Sequence, residues 1–165
     1  MTGHDEARDL ERQILVRALG ELGADAGAFG GRLGAGLAGM LGGRRGGERG
    51  ATRAAQRLRE DRCELSIDLA MRPEEVLNIA AQVLAHEGSL LDDELPALEH
   101  AEVWGLVGVG AGGLNPAVVR VAAIPAGGGG STTIVRATAK EGLIKQRGGQ
   151  KAAARVRDAL LRAAR

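Results

Sequence analysis

Few residues in this chain are of the types that carry catalysis or bind metals. His4, His86 and His100 are its only histidines and Cys63 its only cysteine. No pair of them has zinc-ligand spacing, so no metal site is expected. A single cysteine also excludes an internal disulfide. Cys63 alternates with Leu65, Ile67 and Leu69, which places it on the core side of a strand as a buried structural thiol. A nucleophilic cysteine needs a neighbouring base and a basic setting. Asp92, Asp93 and Glu94 could hold a hard cation, but they read as a solvated acidic loop beside Pro96. The stretch Val107-Gly108-Val109-Gly110-Ala111-Gly112-Gly113 looks like a phosphate-binding loop. Such loops open a helix whose first N–H groups hold the phosphate. Here Asn115-Pro116 and another strand-like run follow, so a turn is expected, as for Gly127–Gly130. No nucleophile–base–orienter set is visible along the chain. Enzymatic activity is left open with the balance against it, and no catalytic residue and no cofactor are expected.

Composition narrows the partners. Phe29 and Trp104 are the only aromatic residues among 165. The core must be built from Leu, Val, Ile and Ala, and stacking platforms for single-stranded nucleic acid or sugars are missing. Net charge is +1, but the charges are segregated. Residues 73–119 hold eight acidic and no basic residues; residues 136–165 hold nine basic and two acidic. The basic end, from Lys140 to Arg165, has two readings. It could form an external patch for anionic lipid or nucleic acid, without residues that read bases and hence with no specific nucleic acid. The reading we favour is internal: the acidic first helix of the domain lies beside the basic last helix and their charges offset.

The N-terminal third has a pattern of its own. Leu10, Ile14, Leu15, Ala18, Leu19 and Leu22 share one face of a helix over residues 1–22. The segment 23–50 follows. In it Gly23, Gly27, Gly31, Ala35, Gly39 and Gly43 are spaced by four, with a second row of Gly30, Gly34 and Gly42 beside them and a ridge of Phe29, Leu33, Leu37 and Leu41. Residues four apart are neighbours on a helix, and small residues at that spacing let two helix backbones approach closely. The pattern resembles the glycine zippers of membrane-associated and oligomer-forming proteins. Nine glycines from Gly23 to Gly43 disfavour the helix by about 9 kcal/mol relative to alanine, so it needs a partner. Three readings stay open: a flexible linker, a helix packed on another helix of its own chain or of an oligomer, and a membrane-bound segment. Arg32 counts against full insertion. Arg44, Arg45 and Arg49 form a basic collar behind it, suited to anionic headgroups if it is not simply a solvated face. A short helix over Thr52–Asp61 is expected to lead into the domain.

Residues 51–165 read as a small α+β domain. Cys63–Ala70 alternates as a half-buried strand. Pro73 opens a helix with the apolar stripe Val76, Ile79, Ala80, Val83 and Leu84, ended by Gly88. Ser89 can start a further strand. Glu102–Val109 is apolar on both faces, as in a central strand. Ala117–Ile124 and Ser131–Ala139 complete a meander, and Gln150–Ala164 is a closing amphipathic helix. The expected fold is an antiparallel sheet of about four strands with two helices on one face, in β-α-β-β-β-α order, behind a helical zipper-like extension. That order resembles helix-grip-like domains and the repeat modules of outer-membrane assembly lipoproteins over residues 63–164. It rests on the order of elements and implies a fold, not a function.

The function expected from these features is a non-enzymatic interaction protein. Residues 1–50 would associate with a membrane surface, a partner or copies of themselves. The alternative is a small apolar-ligand-binding domain with a groove between helices and sheet, walled by Trp104. The acidic N-terminal stretch lacks the basic-then-apolar order of a signal peptide, so the expected location is cytoplasmic, with membrane association left to residues 1–50.

Overall fold

The computed structural model describes residues 3–91, 102–110, 113–141 and 146–165, and gives side-chain surroundings for all of these except 3–4 and 29–42. Two compact units make up the chain, Met1–Arg59 and Glu60–Arg165. The division falls later than residue 51, because the helix of the first unit runs further than its sequence suggests.

That helix, α1, spans Gly3–Arg57. If it were straight, Gly23 and Gly47 would lie about 36 Å apart. Instead, a methyl group added at Gly23 would lie 2.8 Å from the Gly47 carbonyl oxygen, and one at Gly20 would lie 2.7 Å from Thr52 Oγ1. One added at Gly27 would overlap the Gly43 carbonyl. As one number of each pair rises the other falls, so the arms 3–28 and 43–57 run antiparallel. The first unit is a helical hairpin. Of the stripe expected from the sequence, Ile14, Leu15 and Ala18 are buried, Leu10 and Leu19 are half-buried and Leu22 is 37% exposed; Ala7 and Ala24, outside that stripe, are buried too. The separate helix expected over Thr52–Asp61 does not form. The α1 helix continues to Arg57, and Glu60 and Asp61 already belong to a strand.

The second unit contains β1 (Arg59–Leu69), α2 (Pro73–Glu87), β2 (Gly88–Leu90), β3 (Glu102–Val109), β4 (Asn115–Pro125), β5 (Ser131–Glu141) and α3 (Gly148–Ala163). The sheet has five strands in the order β1-β5-β4-β3-β2, one more than the four or so expected. The addition, β2, is too short to carry an alternating pattern; it pairs with β3 through Gly88↔Val107 and Leu90↔Gly105. A side chain at Gly88 would overlap the Leu106 carbonyl, so only glycine both ends α2 and enters the sheet there. The pairings β2–β3, β3–β4 and β4–β5 are antiparallel. So is β1–β5: the side-chain contacts Glu60–Lys140, Glu64–Arg136 and Asp68–Thr132 descend one strand as they climb the other.

Register separates the two faces. Val107, Val109, Ala117, Val119, Val121, Val135, Ala137 and Ala139 lie on one face. There they pack with Ala80, Val83 and Leu84 of α2 and with Ala152, Ala153, Val156 and Leu160 of α3. Both helices therefore cover the same face, as the sequence suggests. Glu102, Trp104, Val118, Arg120, Arg136, Thr138 and Lys140 lie on the other. β3 lies inside the sheet, between β2 and β4, and is buried on both faces, with Val107 and Val109 on the helix side and Trp104 on the other.

Candidate interaction interface

The hairpin seam is built from small residues. Gly20, Gly23 and Gly27 on one arm meet Gly43, Gly47, Ala51 and Thr52 on the other. Backbone meets backbone, which no residue with a side chain would allow at Gly23, Gly27 or Gly47. Of the residues expected to mediate helix association, Gly23, Gly27 and Gly43 thus face another arm of the same chain. Gly30, Gly31, Gly34, Ala35, Gly39 and Gly42 lie outside the residues whose surroundings are described. Gly46 and Gly50 are different: nothing stands within 4 Å of a methyl group added at either.

The opposite side of the second arm is arginine. Arg44, Arg45, Arg49, Arg53 and Arg57 are all exposed. Arg45, Arg49, Arg53 and Arg57 recur every fourth residue, so they share a stripe turned away from the Gly43–Gly47–Ala51 seam. Glu48 is the acidic residue among them. Among the described residues, no helix is long and apolar enough to cross a membrane.

In the second unit, the sheet face opposite α2 and α3 carries a row of charges. Arg120 donates to Glu102 through Nε and Nη2, both at 3.1 Å. Its guanidinium also sits 4.6 Å from the centre of the Trp104 ring, a stacking geometry that attracts a cation to the aromatic face. Arg136 stands directly opposite Arg120, where like charges repel. Two acids relieve this: Arg136 bonds Glu64 at 2.6 Å and approaches Glu102 at 3.8 Å. At the end of the row, Lys140, with no exposed side-chain surface, donates to Glu60 at 2.9 Å. Burial alone would raise the Glu60 pKa, but Lys140 and Arg62 overcome it and bring the carboxyl down to about 2.

Trp104 is fully buried on this face, so it does not wall a groove between helices and sheet. The groove expectation fails on strand alternation: Val103 and Val107 point toward the helices, and Trp104, between them, points the other way. The helix side of the sheet is filled by Leu84, Val156 and Leu160 at zero exposure. Cys63 is likewise only half-buried, not buried. It lies on the edge strand, where partial burial, then Asp61, raises its pKa. The thiol is thereby held in its less reactive form.

The expected glycine turn after β3 is present. Gly110 and Gly113 have positive φ, Gly113 N–H bonds the Gly110 carbonyl at 3.3 Å, and β4 begins two residues later at Asn115. Asp92, Asp93, Glu94 and His100 lie outside the described residues. His86 is exposed beside Glu87 at 3.9 Å. Among the described residues, no group of three His, Cys, Asp or Glu side chains is placed to hold a metal. The acidic and basic helices do meet: Arg155 of α3 bonds Glu87 of α2 and reaches the Gly108 carbonyl at 3.3 Å.

Two acids missing from the sequence reading fix the start of α3. Arg147 precedes the helix in a left-handed conformation, with no capping side chain of its own. Glu141 accepts from the N–H groups of Gln146 at 2.7 Å and Gly148 at 2.8 Å, and Asp61 accepts from Gln150 N–H at 3.2 Å. These carboxylates satisfy helix donors and oppose the positive end of the dipole, so that end is filled from within. No family model and no curated protein matches this chain.

Proposed function

We propose that the protein is a non-enzymatic interaction module that docks on an anionic phospholipid surface through the arginine side of its helical hairpin. The observation that carries this reading is the exposure of Arg44, Arg45, Arg49, Arg53 and Arg57 on the arm whose opposite side is closed by glycine contacts. Glycine thus holds the hairpin together, and arginine binds the partner. Each basic residue near an anionic membrane contributes about 1 kcal/mol, and the attraction decays within a Debye length. Contact is then peripheral and salt-sensitive, with no segment inserted across the bilayer.

Flotation of the full chain with phosphatidylglycerol-containing vesicles tests this. Binding at low salt is expected, with loss at high salt, on phosphatidylcholine vesicles, and in an R45Q/R49Q/R53Q variant of unchanged helicity. Equal flotation of that variant, or no flotation of the natural chain at low salt, would discard the reading.

A further inference from the structure

The two edges of the sheet differ. At one, β2 is three residues long. At the other, β1 is eleven residues long, contains no Pro, Gly or Lys, and has β5 as its one strand neighbour among the described residues. Short length, proline, bulges and charged side chains, lysine above all, are how proteins blunt a strand edge; β1 is long, has no proline and no lysine, and carries charges of both signs, Arg62, Glu64 and Asp68 among them. Its side chains also remain partly open. Arg62, Glu64, Ser66 and Asp68 are exposed on one face, while Cys63, Leu65, Ile67 and Leu69 are only half-buried on the other.

We propose that β1 pairs antiparallel with β1 of a second copy of this chain, about a twofold axis at Leu65. The charges select both the occupant and the register. A twofold axis must pass through a residue and its own mate. With the axis at Glu64, that carboxylate faces itself and Glu60 faces Asp68. At Ser66, Glu64 faces Asp68. Like charges opposed in this way repel. At Cys63, Arg62 faces Glu64 twice, but two charges of each chain, Arg59 and Asp61, fall opposite Ile67 and Leu65 on the apolar side. At Ile67, few residues overlap. At Leu65, Arg62 faces Asp68 twice, each keeping its partner within its own chain (Glu60 at 2.6 Å, Thr132 at 2.8 Å). Glu64 faces Ser66, Cys63 faces Ile67, the leucine meets its mate, and one charge of each chain, Asp61, falls opposite an apolar residue, Leu69. The strand is complementary to itself in this register, and the union continues the sheet across both copies.

Sedimentation of the full chain is expected to give twice the 17.0 kDa chain mass at about 100 µM, a concentration that populates modest interfaces. D68R places arginine opposite arginine twice and should weaken the dimer about tenfold or more. The swap R62D/D68R restores the opposed charges and should restore association, which a merely misfolded D68R could not do. Oxidation adds a register test. C63S/L65C should form a disulfide-linked dimer, because its thiols meet on the axis. The natural chain should not, because its two Cys63 residues stand four strand positions apart. A monomer at 100 µM, a dimer indifferent to D68R, a swap that stays monomeric, or cross-linking through Cys63 in place of L65C would overturn the proposal.

Discussion

In the hairpin, the surface between the two elements is glycine; in the sheet domain, it is valine, leucine and alanine. Both contacts are close, but they fail differently. The helix–sheet core of Val107, Val119, Val135, Leu84 and Val156 is filled by side chains, and such cores tolerate exchanges that conserve volume. The seam of Gly23, Gly27, Gly43 and Gly47 has no side chain to rearrange, so an added atom meets backbone. The glycines that make the contact also weaken each arm as an isolated helix. Each arm is therefore stable only against the other, and the hairpin should form or melt as a whole.

The sharpest way to break the comparison is Gly47→Val. Its new side chain would overlap the Gly23 carbonyl, and a loss of about 3 kcal/mol or more in hairpin stability is expected, read as lost helical circular dichroism in a urea titration. Gly46→Val, one residue away in open space, should leave the transition within about 0.5 kcal/mol. Next is Lys140→Met in the sheet domain. It removes the buried ammonium and leaves Glu60 with Arg62, which bonds it at 2.6 Å, so it should cost about 2 kcal/mol, while K140M/E60L should recover most of it. That result would show the buried ion pair to be replaceable, unlike the seam.

The same pair gives a pH dependence. The folded pKa of Glu60 is about 2, below the ordinary carboxyl value of 4.5. Its stabilisation is therefore complete above the unfolded pKa and is lost as pH falls through the folded one. Between about pH 5 and pH 2 the domain should lose about 2 kcal/mol, after allowance for solvent at the site, and E60Q should flatten this part of a denaturation-versus-pH curve. The smallest effect is of opposite sign: Gly46→Ala and Gly50→Ala, both helical and unopposed, should each stabilise the hairpin by about 0.5–1 kcal/mol. If they destabilise it, the open surroundings described for these positions are wrong.

Much of the domain could be read from periodicity. The strands around Leu65, Leu106, Val119 and Val135, both covering helices and the turn glycines follow from alternation, helical spacing and positive-φ positions, which are local properties. Chain reversal within α1 was not legible. The four-residue glycine spacing announces that something approaches closely, but that spacing is the same whether the neighbour is another arm, another molecule or lipid. The charge row was partly legible. Glu60, Glu64 and Asp68 recur every four residues, as do Thr132, Arg136 and Lys140, and antiparallel pairing of β1 with β5 brings them together. What hid it was the adjacency of the first and last strands, a non-local fact. The fate of Trp104 was available from alternation alone, since Val103 and Val107 claim the helix side. The capping of α3 by Glu141 and Asp61 depends on where two strand ends converge, which no local pattern encodes.

The adjacency of β1 and β5 also has a consequence in time. Glu64 and its partner Arg136 are 72 residues apart. At a synthesis rate of about 5–20 residues per second, β1 leaves the ribosome several seconds or more before the strand it must pair with exists. The meander β3–β4–β5 can close from short-range contacts, whereas β1 has to wait and then join by a long loop closure. Through that interval both of its edges are bare, and a neighbouring nascent chain offers the same complementary sequence. The molecule's exposure to misassembly is therefore greatest while it is being made, and it should fall with slower initiation on its message rather than with greater stability of the finished fold.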